Sequence, residues 1–431
     1  MASRVFWRRS ATAAWVYVAV VFGIVGTVVA ARVLGLEDFG VFVTALAAVG
    51  FFQILLDLTV EEPLTKFGFR YAVGEEWGKL RRLFVRALQL KFAGGVLAAL
   101  ALAGLAPIAD SIFGAEDLAI PILVGSLLPL VQAPENVGST ALLLRGRYDL
   151  RGAYQAFAMA LRLTAIVIAA PLGVTETLAA IVVAQAIATS AVSLVGLAAF
   201  RRFPPAHAEP LGEDRREVVS FVLQSSVGTG VISLRTTLVP IMLGIVAGPI
   251  QVGLFRIAQT PQTGLAAASS PARLVLLTDQ TRAWERGRQG SVLAGVRTYT
   301  LVAAGLMSFA VPILLLAMPW LVELVFGKEY SGGVDAARIV LIAAAIQFAL
   351  GWSKSLPVTI GRPRLRIVTH GLEALVVVPL VAVLGSEWGA TGAAVAVLIA
   401  TVVFAAAWGI ALARLRIAVA DQGAQGGAVT P

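Results

Sequence analysis

The chain has 431 residues, of which 58% are hydrophobic and 14% are charged, and its mean hydropathy is +0.86. A water-soluble domain cannot keep so much apolar surface from water, so the composition indicates a membrane protein. The net charge of +9 comes with no nucleic-acid-binding motif, so we expect no nucleic-acid partner. The sequence has no cysteine and only two widely separated histidines, so we expect no metal site and no cofactor.

Twelve apolar runs of spanning length follow one another along the chain. A membrane-spanning helix needs about 20 mostly apolar residues, and each run meets that length. The first six lie near residues 11–34, 40–60, 84–106, 119–143, 153–172 and 177–200. The second six lie near residues 219–247, 250–277, 297–322, 335–357, 365–384 and 389–412.

The charges between these runs predict the orientation of the chain. Alternate loops carry most of the Lys and Arg residues, such as Lys66, Arg70 and Lys79 in one loop and Arg145, Arg147 and Arg151 in another. The remaining loops carry mostly acids. Basic loops are retained on the cytoplasmic side, so we expect a multi-pass protein of the inner (cytoplasmic) membrane with both termini in the cytoplasm.

The segment before the third run has a basic amphipathic pattern. Trp77, Leu80, Phe84 and Leu88 recur at helical spacing, and basic residues occupy other positions between them. Two interpretations are open. The segment either lies on an anionic leaflet, or it is a solvated connector that leads into the third helix.

Three short motifs occur twice, in the same order. GLEDFGVF at 35–42 matches AGPIQVGLF at 247–255, FGAE at 113–116 matches FGKE at 326–329, and GRYDLR at 146–151 matches GRPRLR at 361–366. The offsets are 213, 213 and 215 residues, which indicates a duplicated unit of six helices. Because six is an even number, both copies enter the membrane from the same side, as in parallel-repeat transporters.

The repeat predicts the division of the chain into parts. We expect an N-terminal six-helix lobe at 1–200 and a C-terminal lobe at 219–412. The segment 201–218, rich in proline and charge, is the expected cytoplasmic linker between them. Residues 413–431 are the expected disordered cytoplasmic tail.

The sequence ARVLGLEDFGVF after the first helix, FGKEY before the tenth and GRPRLR before the eleventh resemble a known family. It is the polysaccharide flippase family of the multidrug/oligosaccharidyl-lipid/polysaccharide (MOP) exporter superfamily, and the resemblance covers Arg32 to Leu412. The resemblance implies an all-α, MATE-like exporter fold of two lobes, and a transporter rather than an enzyme. The implied substrate is an undecaprenyl-diphosphate-linked oligosaccharide, flipped to the outer leaflet by alternating access for surface polysaccharide biosynthesis. Membrane lipids, a polysaccharide polymerase and glycosyltransferases are the implied partners.

Five cationic side chains in or near spans are candidates for binding the diphosphate. A charge within a span costs roughly 2.5 to 3.5 kcal/mol on insertion scales, so it usually faces a cavity or a partner. Arginine in particular offers a permanently charged fork that fits phosphate oxygens. An ion pair inside the bundle, or snorkelling to the interface, is the alternative for each. The candidates are Arg235 and Arg162 in mid-span, Arg32 and Arg256 near outer ends, and Lys354 near an inner end.

Acids near the inner ends of spans are candidates for ion coupling or for balancing these cations, and local ion pairing is the alternative. They are Asp57, Glu61, Glu62, Glu135 and Glu373. Seven glutamines in or near spans are candidates for sugar contacts or for interhelical hydrogen bonds, namely Gln53, Gln132, Gln185, Gln224, Gln259, Gln262 and Gln347.

Other functions remain open at this point. A peptidoglycan lipid-precursor flippase and a cation-coupled drug exporter belong to the same superfamily. A more remote alternative is a polyprenyl-phosphate-sugar glycosyltransferase that uses the Glu37-Asp38 pair. Every predicted external loop is too short to hold an acceptor, which argues against the enzyme.

Overall fold

The computed structural model describes residues 2–268, 280, 283–284, 286–360, 362 and 364–426, some of them, such as Arg235, by the backbone alone. All regular secondary structure in these ranges is helical. The helices of the first half are α1 (Ala2–Leu56), α2 (Glu61–Val73), α3 (Trp77–Phe113), α4 (Ala119–Gly125), α5 (Leu127–Gln132), α6 (Glu135–Leu144), α7 (Tyr148–Ala169) and α8 (Val174–Phe200). Those of the second half are α9 (Asp214–Ala247), α10 (Pro249–Ala258), α11 (Thr260–Ala268), α12 (Gln289–Val325), α13 (Val334–Ala349), α14 (Leu356–Thr359) and α15 (Arg364–Gly426).

Eight described stretches are long and apolar enough to cross a membrane, and two of them are long enough to cross it twice. The stretches Ala14–Leu56 and Arg364–Ile417 hold 43 and 54 residues, far more than the roughly 20 that one crossing needs. Each is interrupted by one glycine with a positive φ, Gly35 (φ 79°) and Gly389 (φ 55°). The eight stretches therefore account for ten of the twelve predicted spans. The helix α9 corresponds to the seventh predicted span, and α10 and α11 together correspond to the eighth.

The backbone preserves the duplication read from the sequence. Gly35 has φ 79° and ψ 173°, and Gly248, which lies 213 residues later, has φ 82° and ψ 170°. Only glycine adopts this conformation readily, and in both places it separates one helix from the next. The partner of Gly146 in the third motif pair, Gly361, lies outside the described residues.

Gly40 and Gly253, the second glycines of GLEDFGVF and of its repeat AGPIQVGLF, lie against each other. A Cβ atom on Gly40 would lie 2.4 Å from the carbonyl oxygen of Pro249, and one on Gly253 would lie 3.2 Å from Cα of Gly40. The backbones of α1 and α10 therefore touch at equivalent positions of the two repeats.

The basic amphipathic segment packs against protein. Leu80 and Phe84 are 1% and 7% exposed, and the ring of Phe84 lies 4.5 Å from that of Phe200. The ring centroid of Trp77 lies 5.5 Å from that of Phe203, which is in the predicted linker. The leaflet-binding interpretation is therefore wrong for this face. The preceding residues form the separate helix α2, which sequence reasoning did not predict.

The chain forms two compact units, Met1–Gly253 and Leu254–Pro431. The first unit includes α9, which begins the second repeat but packs against α1, α2 and α3. The predicted lobes at 1–200 and 219–412 follow the duplication, and they remain a prediction. The helix α15 extends to Gly426, so most of the tail expected to be disordered is helical. Residues such as Ala413, Arg414 and Leu415 favour a helix.

Candidate functional site

A buried ion pair in the first unit joins α3 to the end of α1. Lys91 on α3 donates to Oδ2 of Asp57, just after α1, and the two side chains are only 6% and 10% exposed. Gly94, one turn after Lys91, makes the approach possible, because a Cβ atom there would lie 2.9 Å from Cα of Asp57. Asp57 was a sequence candidate and Lys91 was not. Lys91 is the one lysine in the apolar stretch 87–109, and this isolated charge is the sequence feature that indicates a buried partner.

Glu135 extends this pair into a network across four helices. It begins α6, and its Oε2 accepts a hydrogen bond of 2.9 Å from Nε2 of Gln185 on α8. The same amide nitrogen lies 3.0 Å from Oγ1 of Thr189. The Lys91 ammonium attracts the Glu135 carboxylate, and the phenol of Tyr154 on α7 lies beside it. We call Asp57, Lys91, Glu135 and Gln185 the buried network.

The other acidic candidates have separate surroundings. Glu61 pairs with Arg151, and both side chains are about one-third exposed. Glu62 is exposed. In the second unit Glu373 is 1% exposed, and its Oε2 lies 3.3 Å from Nδ1 of His370. Asp57 pairs with Lys91 and Glu135 accepts a hydrogen bond from Gln185, so these two of the five acids belong to the buried network.

The cationic candidates are distributed over both units. Arg162 on α7 is partly buried, and Arg32 on α1 is exposed. Arg256 and Lys354, in the second unit, are also exposed. Arg235 lies in α9, and its side chain is outside the described residues. The role of all five in substrate binding stays a prediction.

Glutamines mostly join helices. Gln53 donates to Gln132 at 2.7 Å, and Gln262 donates to Gln347 at 2.9 Å. Gln347 in turn donates to Thr401 at 3.0 Å. These contacts agree with the interpretation of the glutamines as interhelical hydrogen bonds.

A second charged cluster ties α9 to α2 and α3. Glu217 accepts hydrogen bonds of 2.7 and 3.0 Å from Arg70, and Lys66 lies 3.4 Å from it. Asp214 accepts bonds from Lys79 at 3.0 Å and from Tyr71 at 3.2 Å. We call these residues the linker clamp.

Electrostatics in the linker clamp follow from these contacts. The hydrogen bond from Arg70 lowers the pKa of Glu217. Burial, together with the adjacent Asp214 carboxylate, raises the pKa of Tyr71 to about 12. The Tyr71 phenol therefore stays neutral near neutral pH and donates a hydrogen bond to Asp214.

Among the described residues, no group of three or more His, Asp and Glu side chains is arranged to hold a metal ion. The buried network itself contains two carboxylates, one ammonium group and an amide. Such groups bind and exchange protons, and they attract or repel charged cargo.

Comparison with known proteins places the chain in a family. The family model described as "Polysaccharide biosynthesis protein" matches residues 8–271. No curated protein matches the chain.

Solved structures show the fold. An inward-facing multidrug resistance MATE family transporter of the MOP superfamily aligns with a TM-score of 0.73 and 13% identity, over 92% of this chain and 95% of that one. The lipid II flippase MurJ in an inward closed conformation gives 0.68 and 10% identity, over 92% and 86%. A MOP superfamily transporter from Pyrococcus furiosus gives 0.61 and 15%, over 96% and 95%.

These findings confirm the predicted all-α membrane fold, which the chain shares with solved structures of the MOP superfamily. The family model covers more than half of the chain. The protein therefore belongs to the polysaccharide biosynthesis protein family and has the fold of the MOP superfamily of exporters and flippases.

Proposed function

We propose that the protein is a flippase that moves an undecaprenyl-diphosphate-linked oligosaccharide from the cytoplasmic to the outer leaflet by alternating access. The observation that carries this proposal is the match of residues 8–271 to the polysaccharide biosynthesis family. The similarity in fold to a lipid II flippase supports a lipid-linked cargo. The product serves surface polysaccharide synthesis, with glycosyltransferases and a polymerase as partners.

The proposed binding chemistry follows from the cargo. A diphosphate cannot cross hydrocarbon without its hydration shell being replaced, and arginine replaces it with forked, charged donors. Arg235 and Arg162 are the main candidates for this contact, with Arg32, Arg256 and Lys354 in support. The proposed orientation puts the linker clamp on the cytoplasmic side, and the distribution of Lys and Arg supports this orientation.

The membrane potential favours this direction of transport. Moving one elementary charge across the membrane is worth about 2.3 kcal/mol per 100 mV, so a dianionic lipid that leaves an inside-negative cell gains roughly twice that. Outward flipping then requires no ATP, in agreement with the absence of a GxxxxGK[ST] motif from the sequence. The acids Asp57 and Glu135 are the proposed sites of any ion coupling, and Glu61, Glu62 and Glu373 are assigned to local charge balance.

Two other cargoes are retained as alternatives because solved structures of similar fold carry these names. A lipid II flippase favours a peptidoglycan precursor, and a multidrug resistance transporter favours a drug, exported by a cation-coupled mechanism. Both alternatives keep the fold and change only the cargo.

The role of Arg235 is tested by reconstitution. The purified protein is placed in liposomes with a fluorescent undecaprenyl-diphosphate oligosaccharide, and arrival in the opposite leaflet is measured with a membrane-impermeant quencher. We expect Arg235→Ala to lower the flipping rate at least tenfold and Arg216→Ala, at an exposed position, to leave it unchanged. Unchanged flipping by Arg235→Ala would remove this residue from the binding site.

A further inference from the structure

We propose that a groove on the first unit, where α3 begins and α8 ends, binds the headgroup of an anionic phospholipid. The acyl chains of this lipid lie along the two helices. The groove uses a different face of α3 from the one that Leu80 and Phe84 bury. The inference goes beyond the proposed function, because it concerns a lipid held at the surface of the protein and not the cargo that the protein moves.

Arginines surround the junction of the two helices. The ring centroid of Phe84 on α3 lies 4.5 Å from that of Phe200 on α8, so the helices meet at this end. The guanidinium carbon of Arg81 lies 5.7 Å from the centroid of the Phe200 ring, which places a positive charge at the junction. Arg86 on α3 and Arg201, directly after α8, are exposed. The head of the groove is therefore cationic.

Exposed apolar side chains continue from these arginines along both helices. Val85 and Phe92 follow Arg81 by 4 and 11 residues, so the three lie on one face of α3, and both apolar side chains are exposed. On α8, the exposed Leu197 precedes Arg201 by 4 residues and shares its face. Each helix thus presents an apolar face with an arginine at the same end.

The fourth predicted span, which comprises α4 to α6, forms the floor between these faces. A Cβ atom on Gly95 of α3 would lie 2.8 Å from the carbonyl oxygen of Pro129 on α5. A Cβ atom on Gly196 of α8 would lie 2.5 Å from the carbonyl oxygen of Gly138 on α6. Because α3 and α8 both pack closely on this span, it separates them below their junction and leaves a groove.

The arginines of the groove differ from the cations of the linker clamp in their partners. In the clamp, Arg70 pairs with Glu217 and Lys79 pairs with Asp214. Within the described part of the chain, no acid lies within ion-pair distance of Arg81, Arg82, Arg86 or Arg201. In that part, the Nε donors of Arg81 and Arg82 also have no hydrogen-bond partner. Arginine fits phosphate oxygens with a charged fork of donors, so this uncompensated charge indicates a phosphate group.

The position of the linker favours a lipid over a free anion. Arg82 donates to the carbonyl oxygen of Ala208 at 3.2 Å, and the backbone N–H of Glu209 donates to Gly78 at 3.1 Å. The Glu209 side chain lies against Gly78, before the arginines on α3. The linker therefore covers the water side of the groove, while its apolar faces lead into the bilayer. A phosphate with acyl chains matches both parts, as in other basic sites between membrane helices.

The test uses a fluorophore at one site, which the absence of native cysteine allows. Val85→Cys is labelled with bimane and placed in phosphatidylcholine nanodiscs that contain a small fraction of spin-labelled lipid. The spin label is on the acyl chain near the headgroup, and it quenches bimane only at short range. We expect phosphatidylglycerol to quench roughly threefold more than phosphatidylcholine at the same fraction, because arginines near the membrane surface attract anionic lipid.

Two double variants of the labelled protein test the arginines. In Arg81→Gln with Arg86→Gln, we expect the two lipids to quench equally. The matched control is Arg414→Gln with Arg416→Gln, which removes the same charge at exposed positions of the second unit and should keep the preference. Equal quenching by both lipids in the labelled parent would overturn the proposal. An equal loss of preference in both double variants would also overturn it, since the attraction would then belong to the whole surface.

A last arm separates the lipid headgroup from free phosphate. Inorganic phosphate, compared with chloride at the same ionic strength, should leave the preference for phosphatidylglycerol unchanged. Loss of the preference in phosphate alone would show that the arginines bind the free anion, against the proposal. Because no cargo is present, these results are independent of whether the protein flips a lipid-linked sugar.

Discussion

Two charged clusters in the first unit contain the same kinds of side chain, but their ion pairs differ in exposure to solvent and in the cost of breaking them. In the linker clamp, Arg70 and Glu217 are 43% and 47% exposed at the side chain. In the buried network, Lys91 and Asp57 are 6% and 10% exposed. Water and salt screen the first pair, so breaking it costs little. The second pair has no such screening, so each of its charges depends on the other.

The two clusters therefore differ in how strongly they depend on any one charged side chain. The linker clamp joins several residues of α2, α3 and α9, of which Lys66, Arg70 and Glu217 are exposed, and the loss of one contact leaves the others. The buried network has a single cation, so any change in charge is felt by every member. Variants in the two clusters should therefore differ in size of effect and in sensitivity to salt.

The largest effect is expected from Lys91→Met. Removing one partner of a buried ion pair leaves an uncompensated charge and typically costs about 3 to 5 kcal/mol. We expect a large fall in thermal stability of the purified protein, measured by the intrinsic fluorescence of its tryptophans during heating.

The control for that prediction is Lys66→Met, an exposed member of the linker clamp, which should change the transition only slightly. The double variant Asp57→Asn with Lys91→Met should recover much of the loss, because neither charge then remains. A single Lys91→Met variant as stable as the wild type would contradict the account.

A smaller effect is expected from Gly94→Ala. The new Cβ atom would lie 2.9 Å from Cα of Asp57 and 3.0 Å from the carbonyl oxygen of Leu56, so α3 must shift away from α1. Overpacking of this kind typically costs about 1 to 3 kcal/mol. The matched control on the same helix is Gly104→Ala, where the added methyl group meets no atom within 4 Å. Equal melting temperatures for both variants would show that the close approach is unimportant.

The smallest effect is expected from Glu217→Gln. The pKa of Glu217 is lower in the folded protein than the unfolded value of about 4.3, because Arg70 donates to it. Its contribution is therefore complete above the unfolded value and is lost as the pH falls through the folded value. We expect the wild type to melt slightly higher than the variant at neutral pH and low salt, with the difference vanishing in acid or in high salt. A difference that persists in high salt would show that screening is not what limits this pair.

Sequence reasoning predicted the elements of the fold well, because each rests on local or repeated signals. Apolar length gave the spans, and the repeated glycine motifs gave the duplication, which Gly35 and Gly248 share in their backbone angles. Sequence reasoning did not predict that α9 packs with the first unit. The constant offset between the repeated motifs indicates a duplication, but it carries no information about which helices are in contact.

The site was harder to predict for a physical reason. Asp57 and Glu135 were recognised as costly acids near spans, but the ammonium group that pairs with Asp57 lies on a different helix, α3. Only the close approach at Gly94 brings Lys91 to Asp57, and pairing of this kind depends on tertiary packing. For Arg235, the sequence alone supplies the argument.

The most direct test of the central claim is a comparison of cargoes in one reconstituted system. Liposomes that contain the purified protein and a membrane potential are given a fluorescent undecaprenyl-diphosphate oligosaccharide, a fluorescent lipid II or a fluorescent drug. We predict fast, potential-dependent movement of the oligosaccharide lipid and slow or no movement of the other two. Rapid transport of the drug or of lipid II, with the oligosaccharide lipid left in its original leaflet, would contradict the proposed function.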